Sequence, residues 1–324
     1  MTRSSRHLVD PELHDFLDAW PTVVLDPELL ALVRARDLPI PVVDNPAAQA
    51  VVLEHHRASG PDGAPDIALR VYRPSNQSGP LPCIFHIHGG GFVAGDTDEI
   101  EAIHRARVAD LGCVLTTLDY RLAPETRFPG NIEDCYATLA WVFRNAGALR
   151  IDTSRLGVVG ESAGGGLAAA LALLARDRGE YRLAFQHLIY PMLDDRTCAT
   201  SDPHPYAGEF IWTPHNNAFG WSALLGVEPG SPGVSPYAAA ARAENLEGLP
   251  PTFVSTGALD LFVDEDIDYV RRLNRAGVPV EFHLYPGGFH GYDLHPTARV
   301  ATQARADSRA ALQRFLSGEP AQVL

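Results

Sequence analysis

The feature that most constrains the fold is an alternation of short apolar segments with longer segments of helical pattern across residues 67–316. Residues 67–72 alternate like a half-exposed strand, and the other apolar segments indicate more buried strands at 83–87, 114–118, 156–159, 188–190, 252–255 and 280–284. Helical patterns fall at 132–143, 163–176, 264–276 and 298–316. Because such alternation builds βαβ units, the chain is predicted to have an α/β fold with a mostly parallel sheet.

Two stretches interrupt this alternation. The first, near the start, combines loops with two Pro-Glu-Leu sequences that each place a proline at a helix start. The second separates two predicted strands and is rich in proline, histidine and aromatic side chains. Because a long insertion in a compact domain is more often functional than idle, we predict that the two stretches form one lid. The predicted organisation is an N-terminal part of the cap at 1–48, a first core segment at 49–196, an inserted part of the cap at 197–226 and a second core segment at 227–324.

The composition narrows the possible partners and the compartment. Lys and Arg number 26 against 40 Asp and Glu, a formal net charge of −14, which argues against binding to nucleic-acid phosphates. No stretch approaches the ~20 uninterrupted apolar residues of a membrane span, and no apolar run follows the basic residues near the start. The four cysteines lie far apart without C-x-x-C spacing, which is typical of reduced thiols. We therefore expect a soluble cytoplasmic protein that binds neither nucleic acid nor membrane.

A nucleophile motif follows one of the predicted buried strands. Gly160-Glu161-Ser162-Ala163-Gly164 matches G-x-S-x-G, directly after strand 156–159 and directly before helix 163–176. A turn this tight strains the serine backbone and requires glycine beside it, and the helix that follows directs its N-terminal amides at the same point. A plain glycine-rich turn would share the pattern, but the context predicts that Ser162 is a nucleophile at the edge of the sheet.

A second glycine-rich loop is predicted to stabilise negative charge. His88-Gly89-Gly90-Gly91-Phe92 follows strand 83–87, and consecutive glycines let backbone N–H groups approach a ligand closely. The amides of Gly90, Gly91 and Ala163 are the expected oxyanion-hole donors. The rival interpretation, a phosphate-binding loop, requires Gly-x-Gly-x-x-Gly or a Gly-Lys-Ser/Thr ending, and this loop has neither.

His86 and His88 stand two residues apart and suggest a metal pair. No carboxylate or thiol at a useful spacing accompanies them, so no metal site is predicted. We expect His88 instead to anchor the glycine loop through hydrogen bonds.

A serine nucleophile needs a general base and a carboxylate that orients it, in the chain order Ser, Asp, His for this arrangement of strands. Asp260 follows strand 252–255 and His290 follows strand 280–284, so both lie where ligands bind in such sheets. Asp264 and Asp266 are rival acids, but they fall at a helix start, where Asp commonly caps the helix. The predicted triad is therefore Ser162, Asp260 and His290.

These motifs together resemble a known family. They are His88 to Phe92, Tyr120 to Glu125, Gly160 to Gly165, Ser235-Pro236-Tyr237, Gly248-Leu249-Pro250-Pro251, Asp260 and Phe289-His290-Gly291. In these residues the chain resembles the hormone-sensitive-lipase-like esterases, bacterial family IV of the α/β-hydrolase superfamily, from about residue 65 to the end. The resemblance implies an α/β-hydrolase fold with an eight-stranded, mostly parallel sheet flanked by helices, a helical cap in two parts and a catalytic triad that needs no cofactor. It also implies that Tyr120 to Glu125 brace the oxyanion loop.

The resemblance further implies a carboxylesterase that hydrolyses small esters with short acyl groups through an acyl-enzyme on Ser162. Glu161 stands where many relatives carry Asp, and Gly166 where many carry Asn, and both departures leave the triad intact. The same triad would also serve an amide or a lactone. A small-molecule receptor on this fold is a further alternative, but receptors that resemble this family lack the catalytic histidine, and His290 is present.

The strand at 280–284 is the last of the series and is expected at an edge of the sheet, with few charges to block pairing. Relatives of the family often dimerise through this edge. The resemblance therefore implies a homodimer.

Overall fold

The computed structural model describes residues 4–20, 22–35, 45–61 and 63–318. Within these ranges eight strands form one sheet: β1 (Val51–Ala58), β2 (Ile67–Pro74), β3 (Leu81–Ile87), β4 (Val114–Leu118), β5 (Ile151–Glu161), β6 (Gln186–Ile189), β7 (Thr252–Gly257) and β8 (Val280–Tyr285). Their order is β1-β2-β4-β3-β5-β6-β7-β8, with antiparallel pairing of β1 with β2 and of β2 with β4 and parallel pairing elsewhere. The predicted eight-stranded, mostly parallel α/β sheet is confirmed, and β8 is its edge strand as expected.

Helices cover both faces of this sheet. They are α1 (His14–Ala19), α2 (Pro27–Arg34), α3 (Glu101–Leu111), α4 (Gly130–Leu149), α5 (Ala163–Arg178), α6 (Pro214–Leu225), α7 (Val263–Arg275) and α8 (Arg299–Ser317). Successive strand residues point to opposite faces, so Ile84 packs with Val108 of α3 and Leu312 of α8. Its neighbour Phe85 belongs to the larger core that α4, α5 and α7 complete, for example through Leu171.

The sequence patterns do not predict strand β1 or helix α3. The second half of β1 is the polar sequence Glu54-His55-His56-Arg57, because the strand lies at the outer edge of the sheet and pairs with β2 alone. Helix α3 buries His104 beside apolar residues, so its inward face is not uniformly apolar. Both elements are held by tertiary contacts that a hydrophobic period does not reveal.

The two predicted parts of the cap contact each other in the described residues. Asn216 of α6 is 2% exposed, and its side-chain amide accepts a hydrogen bond from Leu25 N at 2.9 Å and donates one to Val23 O at 2.7 Å. Glu209 of the insertion accepts hydrogen bonds from the hydroxyls of Ser4 and Ser5 at 2.6 and 2.7 Å. The N-terminal segment is thereby held against the insertion.

The N-terminal segment is also fastened to the core. Arg34, at the end of α2, donates to Val93 O and Ala123 O, each at 2.7 Å, and forms an ion pair with Glu125 at 2.8 Å. These contacts fix α2 beside the loop that follows β3. Among the described helices, none combines the length and the apolar character needed to span a membrane.

Candidate active site

Ser162 lies at the sharp turn between β5 and α5. Its φ is +57°, a left-handed value that is strained for a residue with a side chain. A Cβ atom at Gly160 would collide with the carbonyl group of Gly164, and one at Gly164 would collide with the carbonyl of Ile87 on β3. Both flanking glycines are therefore required by close backbone approach, as the motif predicted.

The three predicted side chains form one hydrogen-bonded row. His290 Nδ1 lies 2.8 Å from Asp260 Oδ2, and His290 Nε2 lies 2.9 Å from Ser162 Oγ. Because an ionised carboxylate can only accept, Nδ1 carries the proton and Nε2 is left to accept one from the serine hydroxyl. Asp260 is fully buried, and its other oxygen accepts a hydrogen bond from Phe262 N at 3.0 Å. This geometry is that of a nucleophile, a general base and the acid that orients the base.

Aromatic rings surround the imidazole of His290. The Phe262 ring lies 5.3 Å away and nearly perpendicular, and the Tyr190 ring lies 4.7 Å away. Tyr190 is held in turn by a 2.8 Å hydrogen bond from its hydroxyl to Asp293. The base is thus confined to one orientation by packing as well as by Asp260.

The glycine loop after β3 lies beside Ser162. Gly90 and Gly91 have φ values of +108° and +61°, and a Cβ atom at Gly90 would collide with the carbonyl of Ala94. Ala163 is the first residue of α5 and is fully buried. The loop and the helix start therefore flank the nucleophile, and the amides of Gly90, Gly91 and Ala163 remain the predicted oxyanion donors.

Two predicted supports of this loop are present. The His88 ring stacks on Tyr120 at 4.3 Å, and His88 Nδ1 lies 2.8 Å from Gly89 O. The Tyr120 hydroxyl donates to His88 O at 3.1 Å, and Ala123 N donates to Phe92 O at 2.9 Å. The loop is anchored by its own histidine and by the segment that begins at Tyr120.

The sequence predicts no role for Glu161, and the structure gives it two partners, one of which contacts a further histidine. His86 Nε2 lies 2.7 Å from Glu161 Oε2, Arg107 lies 3.4 Å from Oε1, and His104 Nε2 lies 3.2 Å from His86 Nδ1. Burial alone would raise the pKa of Glu161, but His86 and Arg107 outweigh it and hold that pKa at about 2. The signal in the sequence that could have pointed to Glu161 was its position next to Ser162. Its partners lie on other elements, His86 on β3 and Arg107 on α3.

His86 and His88 do not form a metal pair. His86 is turned toward Glu161 and His104, whereas His88 stacks on Tyr120. Among the described residues, no group of three or more His, Cys, Asp or Glu side chains is arranged to hold a metal ion.

Neither rival acid takes the place of Asp260 beside His290. Asp264 is exposed, whereas Asp266 is fully buried on α7, and neither side chain caps the helix as its position predicts. Burial raises the pKa of Asp266 well above its ordinary value, and the nearby carboxyl groups of Glu265 and Asp260 raise it further. Burial therefore favours the neutral form of Asp266.

A cavity of about 720 Å³ opens at the row. Its walls include Ser162, His290 and the glycine loop, together with residues from both parts of the predicted cap: Trp20, Val23, Leu25, Val33, Ile211, Trp212 and Asn216. Its size is that of a small-molecule site.

The buried acid on α7 leads to a pH prediction. A carboxyl whose pKa is raised by folding costs nothing below its ordinary pKa of 3.8 and destabilises the folded state increasingly as the pH rises above it. Asp266→Asn removes this titration, so its unfolding free energy relative to wild type should rise by about 1.4 kcal/mol per pH unit above that point until Asp266 ionises in the folded protein.

Urea unfolding of both proteins between pH 3.5 and 8 measures this difference. Asp264→Asn, two residues earlier on α7 and exposed, is the matched control. A pH-independent difference for Asp266→Asn would contradict a neutral Asp266.

Comparison with known proteins places this site in a family. The family described as alpha/beta hydrolase fold matches residues 84–294. The carboxylesterase NlhH of Mycobacterium tuberculosis is 34% identical over 311 residues, which cover 95% of this chain and 96% of that protein. The esterase LipI of the same species is 33% identical over 98% of both chains.

Solved structures agree with these relatives. A bacterial heroin esterase superposes with a TM-score of 0.89 at 41% identity, covering 97% of this chain and 99% of its own. The esterase LipW from Mycobacterium marinum superposes with a TM-score of 0.81 at 29% identity over 96% of each chain. Because the likeness extends along nearly the whole sequence and includes the site, the chain belongs to the hormone-sensitive-lipase-like esterases of the α/β-hydrolase superfamily.

Proposed function

We propose that this protein is a serine carboxylesterase that hydrolyses short-chain acyl esters through an acyl-enzyme on Ser162. The observation that carries the proposal is the row of 2.8 and 2.9 Å contacts that joins Asp260, His290 and Ser162. The row ends at a cavity large enough for a small molecule. Relatives named carboxylesterase and esterase support the same activity.

The geometry defines each chemical step. His290 Nε2 accepts the proton of Ser162 as Oγ attacks the ester carbonyl carbon, and the amides of Gly90, Gly91 and Ala163 donate to the resulting oxyanion. The bond to the leaving oxygen then breaks, and that oxygen takes the proton from His290. A water molecule, deprotonated by His290, attacks the acyl carbon, and Ser162 leaves with the returned proton as the carboxylic acid is released.

Replacement of Ser162 by Ala should lower kcat/KM for an ester by at least ~10⁴-fold, because it removes the covalent step. Hydrolysis of p-nitrophenyl acetate measures the loss, and an organophosphate should label wild-type Ser162, as read by mass spectrometry. Ser154→Ala, at the exposed start of the same strand, is the control and should keep full activity. Retained activity in Ser162→Ala, or labelling of another residue, would exclude Ser162 as the nucleophile.

The acyl preference follows from the apolar residues that both cap parts contribute to the cavity. Each methylene that becomes buried favours binding by up to ~0.8 kcal/mol until the space is full. A series of p-nitrophenyl esters should therefore give a peak in kcat/KM between about two and eight acyl carbons, with loss beyond. Amide and lactone analogues belong in the same panel, and faster turnover of either would reassign the bond.

We further propose that the cap predicted at 1–48 and 197–226 acts as one lid over the cavity, argued from residues 4–20, 22–35, 45–48 and 197–226, because 1–3, 21 and 36–44 lie outside the described residues. Support comes from Asn216, whose buried amide holds Val23 O and Leu25 N, because Val23, Leu25 and Asn216 all line the cavity. Asn216→Ala leaves these backbone groups without the amide, so local opening of residues 22–35 should become roughly tenfold more frequent.

Hydrogen exchange of peptides from residues 22–35 measures this opening, alongside the acyl-chain profile, which should become flatter. Ser222→Ala on the same helix is the control, since its side chain is only partly buried and makes none of these bonds. If exchange accelerates while the profile stays unchanged, the segment does not act as a lid.

We also propose a cytoplasmic homodimer. Support comes from β8, which is an edge strand with Leu284 42% exposed, and from the four free cysteines, which suit a reducing compartment. Fractionation of cells that express the protein, followed by sedimentation of the recovered enzyme, tests both statements. Recovery outside the cytosol would contradict the first, and a single 35.1 kDa species at micromolar concentration would contradict the second.

A further inference from the structure

We propose that Trp212 sets the upper size of the acyl group that this enzyme accepts. The inference rests on the proposed esterase function and assigns its specificity to one side chain. Trp212 lines the cavity, and its indole lies 6.4 Å from the imidazole of His290.

The segment that carries Trp212 is tied to the loops of the catalytic row. Gly208 N donates to Leu259 O at 3.0 Å, directly before Asp260. The Phe210 ring packs on Phe289, 6.1 Å between centroids, directly before His290. Residues 208–212 therefore run across the loops that carry Asp260 and His290. These contacts fix the position of Trp212 relative to the acid and the base.

Backbone strain marks the residue before Trp212. Ile211 has a φ of +60°, which is rare for a β-branched side chain. Among the described non-glycine residues with positive φ, Ser162, Tyr190 and Ile211 line the cavity. Such strain persists where surrounding contacts demand one conformation, and here the conformation turns the chain so that Trp212 lies over the glycine loop.

The indole ring occupies space that is open because two neighbouring residues are glycines without side chains. A Cβ atom at Gly91 would collide with Cη2 of Trp212 and lie 2.7 Å from its Cζ2, and one at Gly220 of α6 would lie 2.6 Å from Gly91 O and 3.6 Å from the same Cζ2. The indole Nε1 donates to Asn217 at 3.2 Å, and Asn217 is fully buried. The ring is thus restrained by the loop below it, by α6 beside it and by a hydrogen bond at its edge.

This position restricts one substituent of the reacting carbon. The oxyanion must face the amides of the glycine loop, and the leaving oxygen must reach His290 Nε2 to take its proton. The oxyanion and the leaving oxygen thus take the positions at the glycine loop and at His290, and the indole, which packs on Gly91 and faces His290, forms the wall along which the acyl chain must lie. A short unbranched acyl group passes the restrained ring, whereas a long or bulky one requires the ring to move.

The test compares two ester series in wild type, Trp212→Ala and Trp212→Phe. In the first series the acyl chain of p-nitrophenyl esters grows from acetate to octanoate, and in the second the alcohol of acetate esters grows. Trp212→Ala should raise the octanoate-to-acetate ratio of kcat/KM roughly tenfold or more. Trp212→Phe keeps a ring but loses the atoms nearest Gly91, so it should shift the ratio in the same direction by less, and it remains informative if the alanine variant fails to fold.

Trp141→Phe is the matched control, because Trp141 lies on α4 against His56 and outside the cavity lining. Its acyl profile should equal that of wild type. A shift confined to the alcohol series, or unchanged ratios in both Trp212 variants with an active wild type, would overturn the assignment of Trp212. A wild type that hydrolyses none of the esters would instead overturn the proposed function.

Discussion

Strand β5 passes into helix α5 at Ser162 without a connecting loop, and the rest of the site depends on that turn. Backbones approach so closely there that Gly160 and Gly164 have no space for a side chain. The same approach brings the end of β3 against the turn, so the glycine loop after β3 lies beside the nucleophile. Because β7 and β8 are parallel to β5, their loops deliver Asp260 and His290 to the same edge.

The charges around this turn are arranged by their partners. Glu161 is held ionised next to the nucleophile because His86 and Arg107 compensate its burial. Asp266 is fully buried near Asp260, and burial together with the carboxyl groups of Glu265 and Asp260 raises its pKa and favours its neutral form. The pKa values of these two carboxyl groups, which lie on β5 and α7, are therefore shifted in opposite directions, and a second buried negative charge beside Asp260 is disfavoured.

The cap extends this organisation from the sheet to the cavity. Arg34 fastens α2 to the segment that also braces the glycine loop, and Asn216 joins the N-terminal segment to α6. Residues 208–212 follow the loops of Asp260 and His290. The walls of the cavity are thus connected to the row of Ser162, His290 and Asp260 by hydrogen bonds and ring contacts, as the proposed control of acyl size by the cap requires.

The sequence by itself determined the α/β class, the elbow at Ser162, the glycine loop and the loops that carry Asp260 and His290, because each depends on local backbone requirements or on a short hydrophobic period. Strand β1, helix α3 and the partners of Glu161 were decided by the tertiary structure, since polar residues there are satisfied by side chains distant in sequence. Asp266 shows the same limit: its position at a helix start indicates a capping residue, and only the packing around α7 makes it a buried, neutral acid. Trp212 is one aromatic residue among several in the insertion, and its place over Gly91 and His290 arises from contacts between segments that the sequence keeps far apart.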